Sequence, residues 1–271
     1  MNTFDTYIKK WNLVIDGDAI STLTSKLLPV QYKSMPAMLK IATAIEEQTS
    51  GQLMVWWDGQ GSAQVHAHDS NALLMERAMG GYSLIKMAAH HKDEEATRII
   101  CKVVSHLHAQ TNKATIPSTL TPLSDWFSAL YKASQKYEGV FYKSMKIADE
   151  LLNNPQEVVV LHGDIHHGNV LDFGVRGWLA IDPKGLVGER GYDFANIFCN
   201  PNMGIATKPG RLEQQINIVS NATGLNRHRL LKWVLSYAGL SAAWHLEDGG
   251  NPELAMMIMS IASAMIDEQS R

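Results

Sequence analysis

Apolar and polar positions divide the chain into a strand-like beginning and a helix-like remainder. Leu27-Leu28-Pro29-Val30 is a short apolar run that stops at a polar turn, Gln31 to Ser34. After Pro36, Ala37-Met38-Leu39-Lys40-Ile41 is a second run with one cation inside it. Runs of this length between turn residues read as buried strands. Ile45, Leu53, Trp56 and Trp57 are spaced as on one helix, which ends at the turn Asp58-Gly59-Gln60-Gly61. Ala63 to His68 and Ala72 to Glu76 predict two strands joined by the turn Asp69-Ser70-Asn71.

Past Gly80-Gly81 the period lengthens. Ala96, Ile99, Ile100, Val103, Val104 and Leu107 make one helix face. Thr111 to Pro122 reads as a Thr/Pro-rich loop, and two further helices are expected before the stop signal Asn153-Asn154-Pro155. Val158 to Leu161 predicts a short strand. Leu230, Leu231, Val234, Leu235 and Ala238 form another helix face that Gly249-Gly250 ends, and Asn251-Pro252 then has the form of an N-cap followed by a first helical residue. The expected architecture is α+β: a small strand-rich lobe over residues 1–78 and a larger, mainly helical lobe over residues 79–271.

Composition changes this picture little. The 271 residues are enough for two unequal lobes around a cleft, and 45% hydrophobic residues supply a core. A net charge of −3 does not suit broad neutralisation of a nucleic-acid backbone. Cys101 and Cys199 stand in unrelated contexts, without a disulfide framework or a CxxC metal site, which fits a reducing cytoplasm. The first ten residues carry no apolar stretch of the signal-peptide kind, and no apolar run approaches membrane-spanning length.

The chemistry concentrates between His162 and Asp182. The strand Val158-Val159-Val160-Leu161 runs into His162-Gly163-Asp164-Ile165-His166-His167-Gly168-Asn169. Val170-Leu171 and Trp178-Leu179-Ala180-Ile181 then form a hairpin closed by Asp182-Pro183-Lys184-Gly185. A hairpin joins its own ends, so Asn169 and Asp182 should be neighbours. A carboxylate beside an amide oxygen suits Mg²⁺, which takes few protein ligands and leaves room for phosphate oxygens. Asp164, offset from that pair, is placed to accept a proton from an incoming hydroxyl.

These spacings resemble the protein-kinase catalytic loop H-R-D-x-x-x-x-N, with Asn169 five residues after Asp164. Gly163 in place of the Arg marks the aminoglycoside phosphotransferase group of kinase-like enzymes, which the chain resembles from about Leu27 to Trp244, and within it the streptomycin 6-phosphotransferase and hydroxyurea phosphotransferase branch. The resemblance implies a two-lobed, protein-kinase-like fold with ATP and Mg²⁺ in the cleft. It makes Asp182, in Ile-Asp-Pro-Lys-Gly, the metal carboxylate; Asp172-Phe173-Gly174 matches the kinase D-F-G only in spelling. It makes Lys40 the phosphate-binding lysine, partnered by Glu46 or Glu47, with Glu47 favoured. It makes Leu73 to Ala78 the hinge, where the backbone of Glu76 and Ala78 meets adenine and the Glu76 side chain is a surface charge. His162 becomes a brace of the loop, Asp193 braces it from the later G-x-x-x-x-D-x-A element, and Leu240 to Trp244 matches the family's C-terminal helix. No G-x-G-x-x-G is present, so Ser25 to Tyr32 must cover the phosphates.

The implied acceptor is a hydroxyl of streptomycin or a related aminoglycoside, bound by a monomer or dimer without nucleic acid or membrane. A polycation asks for an acidic wall, for which Glu189, Glu247 and Asp248 are candidates. Three other readings stand beside this one: a kinase of another small metabolite, a pseudokinase that only binds nucleotide, and a zinc hydrolase using His162 and His166. The last lacks H-E-x-x-H, and a P-loop kinase is excluded because no G-x-x-x-x-G-K-[ST] occurs. The remaining histidine pairs, His66/His68, His90/His91 and His106/His108, read as surface or core residues, and Trp56-Trp57 as core.

Overall fold

A computed structural model describes residues 3–22, 24–43, 46–112 and 115–269, with the side chains of residues 46–49 outside that description. The expected choice between Glu46 and Glu47 as partner of Lys40 therefore lies outside the described residues. The N-terminal part opens with three elements beyond those expected, α1 (Asp5–Trp11), β1 (Val14–Ile15) and β2 (Ile20–Ser21). β3 (Ser25–Tyr32), β4 (Met35–Ala42), α2 (Glu46–Trp57), β5 (Val65–Asp69) and β6 (Ala72–Glu76) follow. Their order in one antiparallel sheet is β1-β3-β4-β6-β5, with β2 also on β3. The polar turn is shorter than expected. Gln31 and Tyr32 stay in β3, and Lys33 and Ser34, with φ of 51° and 64°, make the two-residue hairpin loop.

Strand alternation decides which face Lys40 uses. Leu39 and Ile41 point to one side of β4, into a cluster with Phe4, Leu13, Val30 and Leu74 under α1. Lys40 points to the other side, where its neighbour across the ladder is Leu73. That side faces the second lobe.

The larger lobe contains α3 (Leu84–Ala89), α4 (Asp93–Ala109), β7 (Thr121–Pro122), α5 (Leu123–Trp126), α6 (Ser128–Lys136), α7 (Val140–Asn153) and β8 (Val158–Leu161). Next come β9 (Val170–Asp172), β10 (Trp178–Ala180), β11 (Leu186–Glu189), α8 (Tyr192–Ala195), α9 (Met203–Ala206), α10 (Arg211–Thr223), α11 (Arg227–Glu247) and α12 (Glu253–Gln269). The loop expected over Thr111 to Pro122 ends in β7, which runs parallel to β11, and three helices rather than two precede Asn154. The α4 face is buried as its spacing implies, at Ala96, Ile100, Val103, Val104 and Leu107, with Asp93, Glu94 and Glu95 in the first turn facing the positive end of the helix. α11 is buried along most of its length and forms the axis of the lobe. Asn251 Oδ1 accepts from the Glu253 N–H (2.9 Å) at the start of α12.

The lobes are joined by more than the chain between them. The Ala63 N–H donates to Ala180 O and the Ala180 N–H to Gly61 O, each at 2.9 Å. Arg176, in the turn between β9 and β10, pairs with Glu76 and donates to Gly59 O (2.8 Å). Asp172 holds the connecting segment: its backbone oxygen accepts from the Gly80 N–H (2.9 Å), and its carboxylate accepts from the N–H groups of Tyr82 (3.1 Å) and Gly174 (2.9 Å). A Cβ on Gly80 would lie 1.9 Å from Asp172 Cγ, whereas one on Gly81 would meet nothing within 4 Å. Gly80→Ala should therefore cost about 1–3 kcal/mol by forcing the carboxylate off its donors. Gly81→Ala should be near neutral, and the melting temperatures of the two variants measure the contrast.

Candidate active site

The catalytic-type loop is held from beneath by a buried carboxylate. Asp193 in α8 accepts from the His162 N–H (Oδ2, 2.9 Å), the Gly163 N–H (Oδ1, 2.7 Å) and His108 Nε2 (Oδ2, 2.8 Å). Gly163 has φ of 86°, and a Cβ there would sit 2.8 Å from Leu186 Cδ1, so the chain turns here only with glycine. His162 is fully buried and stacks on Trp57 of α2, centroids 6.0 Å apart. Its Nε2 donates to Ile181 O (2.8 Å), and its Nδ1 accepts from the Asp164 N–H (3.2 Å). Both ring nitrogens are used, which leaves neither for zinc. Desolvation lowers the pKa of this imidazole and keeps it neutral, as that pattern requires.

Above this floor the loop presents its oxygen-bearing side chains. Asn169 Nδ2 donates to Asp164 O (2.9 Å) and lies 3.4 Å from Asp164 Oδ2. The Ile181 N–H donates to Asn169 O (2.9 Å), so the ends of the hairpin meet as its sequence implies. Asp182 follows immediately, with φ of 58°, and its Oδ1 receives Lys40 Nζ at 2.7 Å. Lys40 is 4% exposed, a cation brought from the N-terminal sheet and buried against a carboxylate of the other lobe. Lys184 Nζ stands 3.9 Å from Asp164 Oδ2. The structure thus brings Lys40, Asp164, Asn169, Asp182 and Lys184 to one cleft.

The profile described as aminoglycoside/hydroxyurea antibiotic resistance kinase matches residues 10–249. The chain belongs to this family. A streptomycin 3″-kinase of Klebsiella pneumoniae is 46% identical over 89% of the chain and 92% of its own length. A streptomycin 6-kinase of Streptomyces griseus is 28% identical over 89% and 81%, and a hydroxyurea phosphotransferase of Kitasatospora aureofaciens is 26% identical over 96% and 76%. Among solved structures, the aminoglycoside phosphotransferase APH(4)-Ia in complex with ADP and hygromycin B superposes with a TM-score of 0.67 at 15% identity, covering 98% of each chain. A choline/ethanolamine kinase family protein of Mesorhizobium loti gives 0.68 at 14% identity, covering 97% and 94%. At these identities the likeness is one of fold, and that fold is the two-lobed, protein-kinase-like one.

As a kinase of this family the protein is a phosphotransferase that acts on a hydroxyl group and uses ATP with Mg²⁺. The residues present fit the metal. With Nδ2 of Asn169 committed to Asp164 O, its amide oxygen is the acceptor end, and Asp182 adds a part-exposed carboxylate; both are hard oxygen donors.

Beside Asp164 lies a cavity of about 280 Å³ lined by residues that include His166, Asn196, Asn200, Tyr237, Ser241 and His245. Burial pushes the His166 imidazole down to about 4, so it is neutral at physiological pH. The acidic wall expected here is not formed by Glu189. That carboxylate is 2% exposed and accepts from Arg229 (Nε to Oε1, 2.7 Å), Trp233 Nε1 (2.8 Å) and the Gln156 N–H (2.8 Å). It ties β11 to α11, and the expectation is corrected accordingly. Glu247 ends α11 and lies 3.7 Å from Lys132, and Asp248 caps the same helix; neither lines the cavity. The Glu76 side chain is not a loose surface charge either: it accepts from the Gln64 N–H (2.6 Å) and pairs with Arg176.

The sequence does not single out Asn196, whose Nδ2 donates to Asp164 Oδ1 at 2.9 Å, while His108, read as a surface or core residue, is buried on Asp193. An amide inside the apolar run Phe194-Ala195-Asn196-Ile197-Phe198 was the available signal, since a buried polar group needs a partner. Glu189→Ala strands the Arg229 guanidinium and the Trp233 N–H, and should cost about 3 kcal/mol of stability in denaturant unfolding. The KM for the acceptor should stay within about twofold in steady-state assays, because the residue does not line the cavity.

Proposed function

We propose that the protein transfers the γ-phosphoryl group of ATP to a hydroxyl of streptomycin and so confers resistance to it. The observation that carries the acceptor is the 46% identity with a streptomycin 3″-kinase over nearly the whole of both chains. The same observation moves the favoured position to the 3″-hydroxyl. The 6-hydroxyl, expected from the sequence, has its support in relatives at 28% and 26% identity.

In this reading Asp164 orients the acceptor hydroxyl and takes its proton as the bond to the γ-phosphorus forms and the bond to the β,γ-bridging oxygen breaks, releasing ADP. Lys40 lies on the α- and β-phosphates, and Asn169 and Asp182 would hold Mg²⁺, which supplies positive charge to the phosphate oxygens. The backbone of Glu76 and Ala78 meets adenine. Bringing donor and acceptor together in line contributes the rest of the barrier reduction, with no covalent intermediate on the protein. His162 and Asp193 keep the loop in shape and touch neither reactant.

Incubation with ATP, Mg²⁺ and streptomycin should give a singly phosphorylated product, with a phosphorus–proton NMR correlation placing the group at 3″. A 6-phosphate would overturn the position. Absence of transfer to streptomycin, in a panel that includes other aminoglycosides and hydroxyurea, would overturn the acceptor. Asp164→Ala should retain ATP·Mg²⁺ binding while transfer falls by about two orders of magnitude or more; transfer near the wild-type rate would remove Asp164 from its role.

A further inference from the structure

The Asp164 carboxylate is held by an amide that comes from outside the catalytic loop. Asn196, 6% exposed and just beyond α8, donates from Nδ2 to Asp164 Oδ1 at 2.9 Å. The orientation of that amide is itself determined. Asn200 Nδ2 lies 3.0 Å from the Asn196 backbone oxygen, a pure acceptor, so the group at that position must be the NH₂. The same NH₂ lies 2.9 Å from Asn196 Oδ1, so its second proton goes there. With Oδ1 of Asn196 on Asn200, its NH₂ faces Asp164. The three side chains form a directed relay, Asn200 to Asn196 to Asp164, and all three line the acceptor cavity.

We infer that Asn196 is a positioning residue for phosphoryl transfer, fixing through Oδ1 the direction in which the Asp164 carboxylate meets the acceptor hydroxyl, and that Asn200 acts only by fixing the Asn196 amide. This rests on the phosphotransferase reading of Asp164. A carboxylate pinned at one oxygen cannot swing about its Cβ–Cγ bond, and its second oxygen, Oδ2, is then the one left to meet the acceptor hydroxyl. Asn169 and Lys184 lie near that second oxygen at 3.4 and 3.9 Å, longer approaches than the Asn196 bond. A misplacement of about 1 Å at such a group costs on the order of a hundredfold in rate.

A double-mutant cycle tests this. Asn196→Ala should lower kcat about 10- to 100-fold with the KM for ATP and the affinity for ATP·Mg²⁺ within about twofold. Asn200→Ala should lower kcat by less, and Asn196→Ala/Asn200→Ala should be no slower than Asn196→Ala alone, because the second residue acts through the first. Asn196→Asp keeps the volume and the bond from Asn200 but turns the donor into an acceptor, and should lose as much kcat as the alanine variant. Multiplying losses in the double variant, or wild-type kcat in either Asn196 variant, overturns the relay. The same cycle read on slow ATP hydrolysis, with water as acceptor, separates the two proposals. If the wild type fails to phosphorylate streptomycin while the cycle holds on hydrolysis, the acceptor is overturned and the relay stands; if the cycle fails on hydrolysis as well, the relay is overturned.

Discussion

The buried carboxylate of Asp193 is the constraint on which the cleft depends. An ionised group with 1% exposure costs several kcal/mol to desolvate, and it persists here because two backbone N–H groups and an imidazole N–H converge on it. Those donors belong to the turn that starts the catalytic loop and to α4. The bond between α8 and residues 162–163 therefore sets the height at which Asp164 leaves the loop. His162 carries the constraint onward: one ring nitrogen reaches Ile181, beside Asp182, and the other receives the Asp164 N–H. Asp164 and Asp182 are thus both referenced to one neutral ring, and that ring is stacked on α2 of the other lobe through Trp57.

Lys40 closes the arrangement from the opposite direction. Period-two alternation in β4 puts it on the cleft face, and its burial is tolerated because Asp182 is within 2.7 Å. A charge brought from a sheet and a charge brought from a hairpin end meet at one junction, and under the proposed function it is there that the phosphates would face Lys40 and Mg²⁺ would face Asp182.

What could be read from the sequence follows from how local each feature is. Asp164, Asn169 and Asp182 lie within one loop and one hairpin, so spacing alone brings them together, and the left-handed Gly163 explains why glycine stands where a kinase has arginine. The strands β4 and β6 are legible as short apolar runs between turns, and α4 from its apolar face. Glu189 was misplaced because its burial is created by Arg229 and Trp233, some forty residues away, and a single chain of letters carries no sign of that meeting. Asn196 was passed over for the same reason: its partner is fixed by how α8 packs under the loop. β1 and β2, two residues each, are too short to show a period, and pairing with β3 makes them strands.

Asp172 imitates a metal ligand in spelling and does a different job in space. It anchors the segment that joins the lobes, beside two contacts that cross between them: Arg176 with Glu76 and Gly59, and the backbone bridge between Gly61–Ala63 and Ala180. The backbone part of that seam carries no side chain, so substitution of Asp172 or Arg176 leaves the Gly61–Ala63 bridge to Ala180 in place.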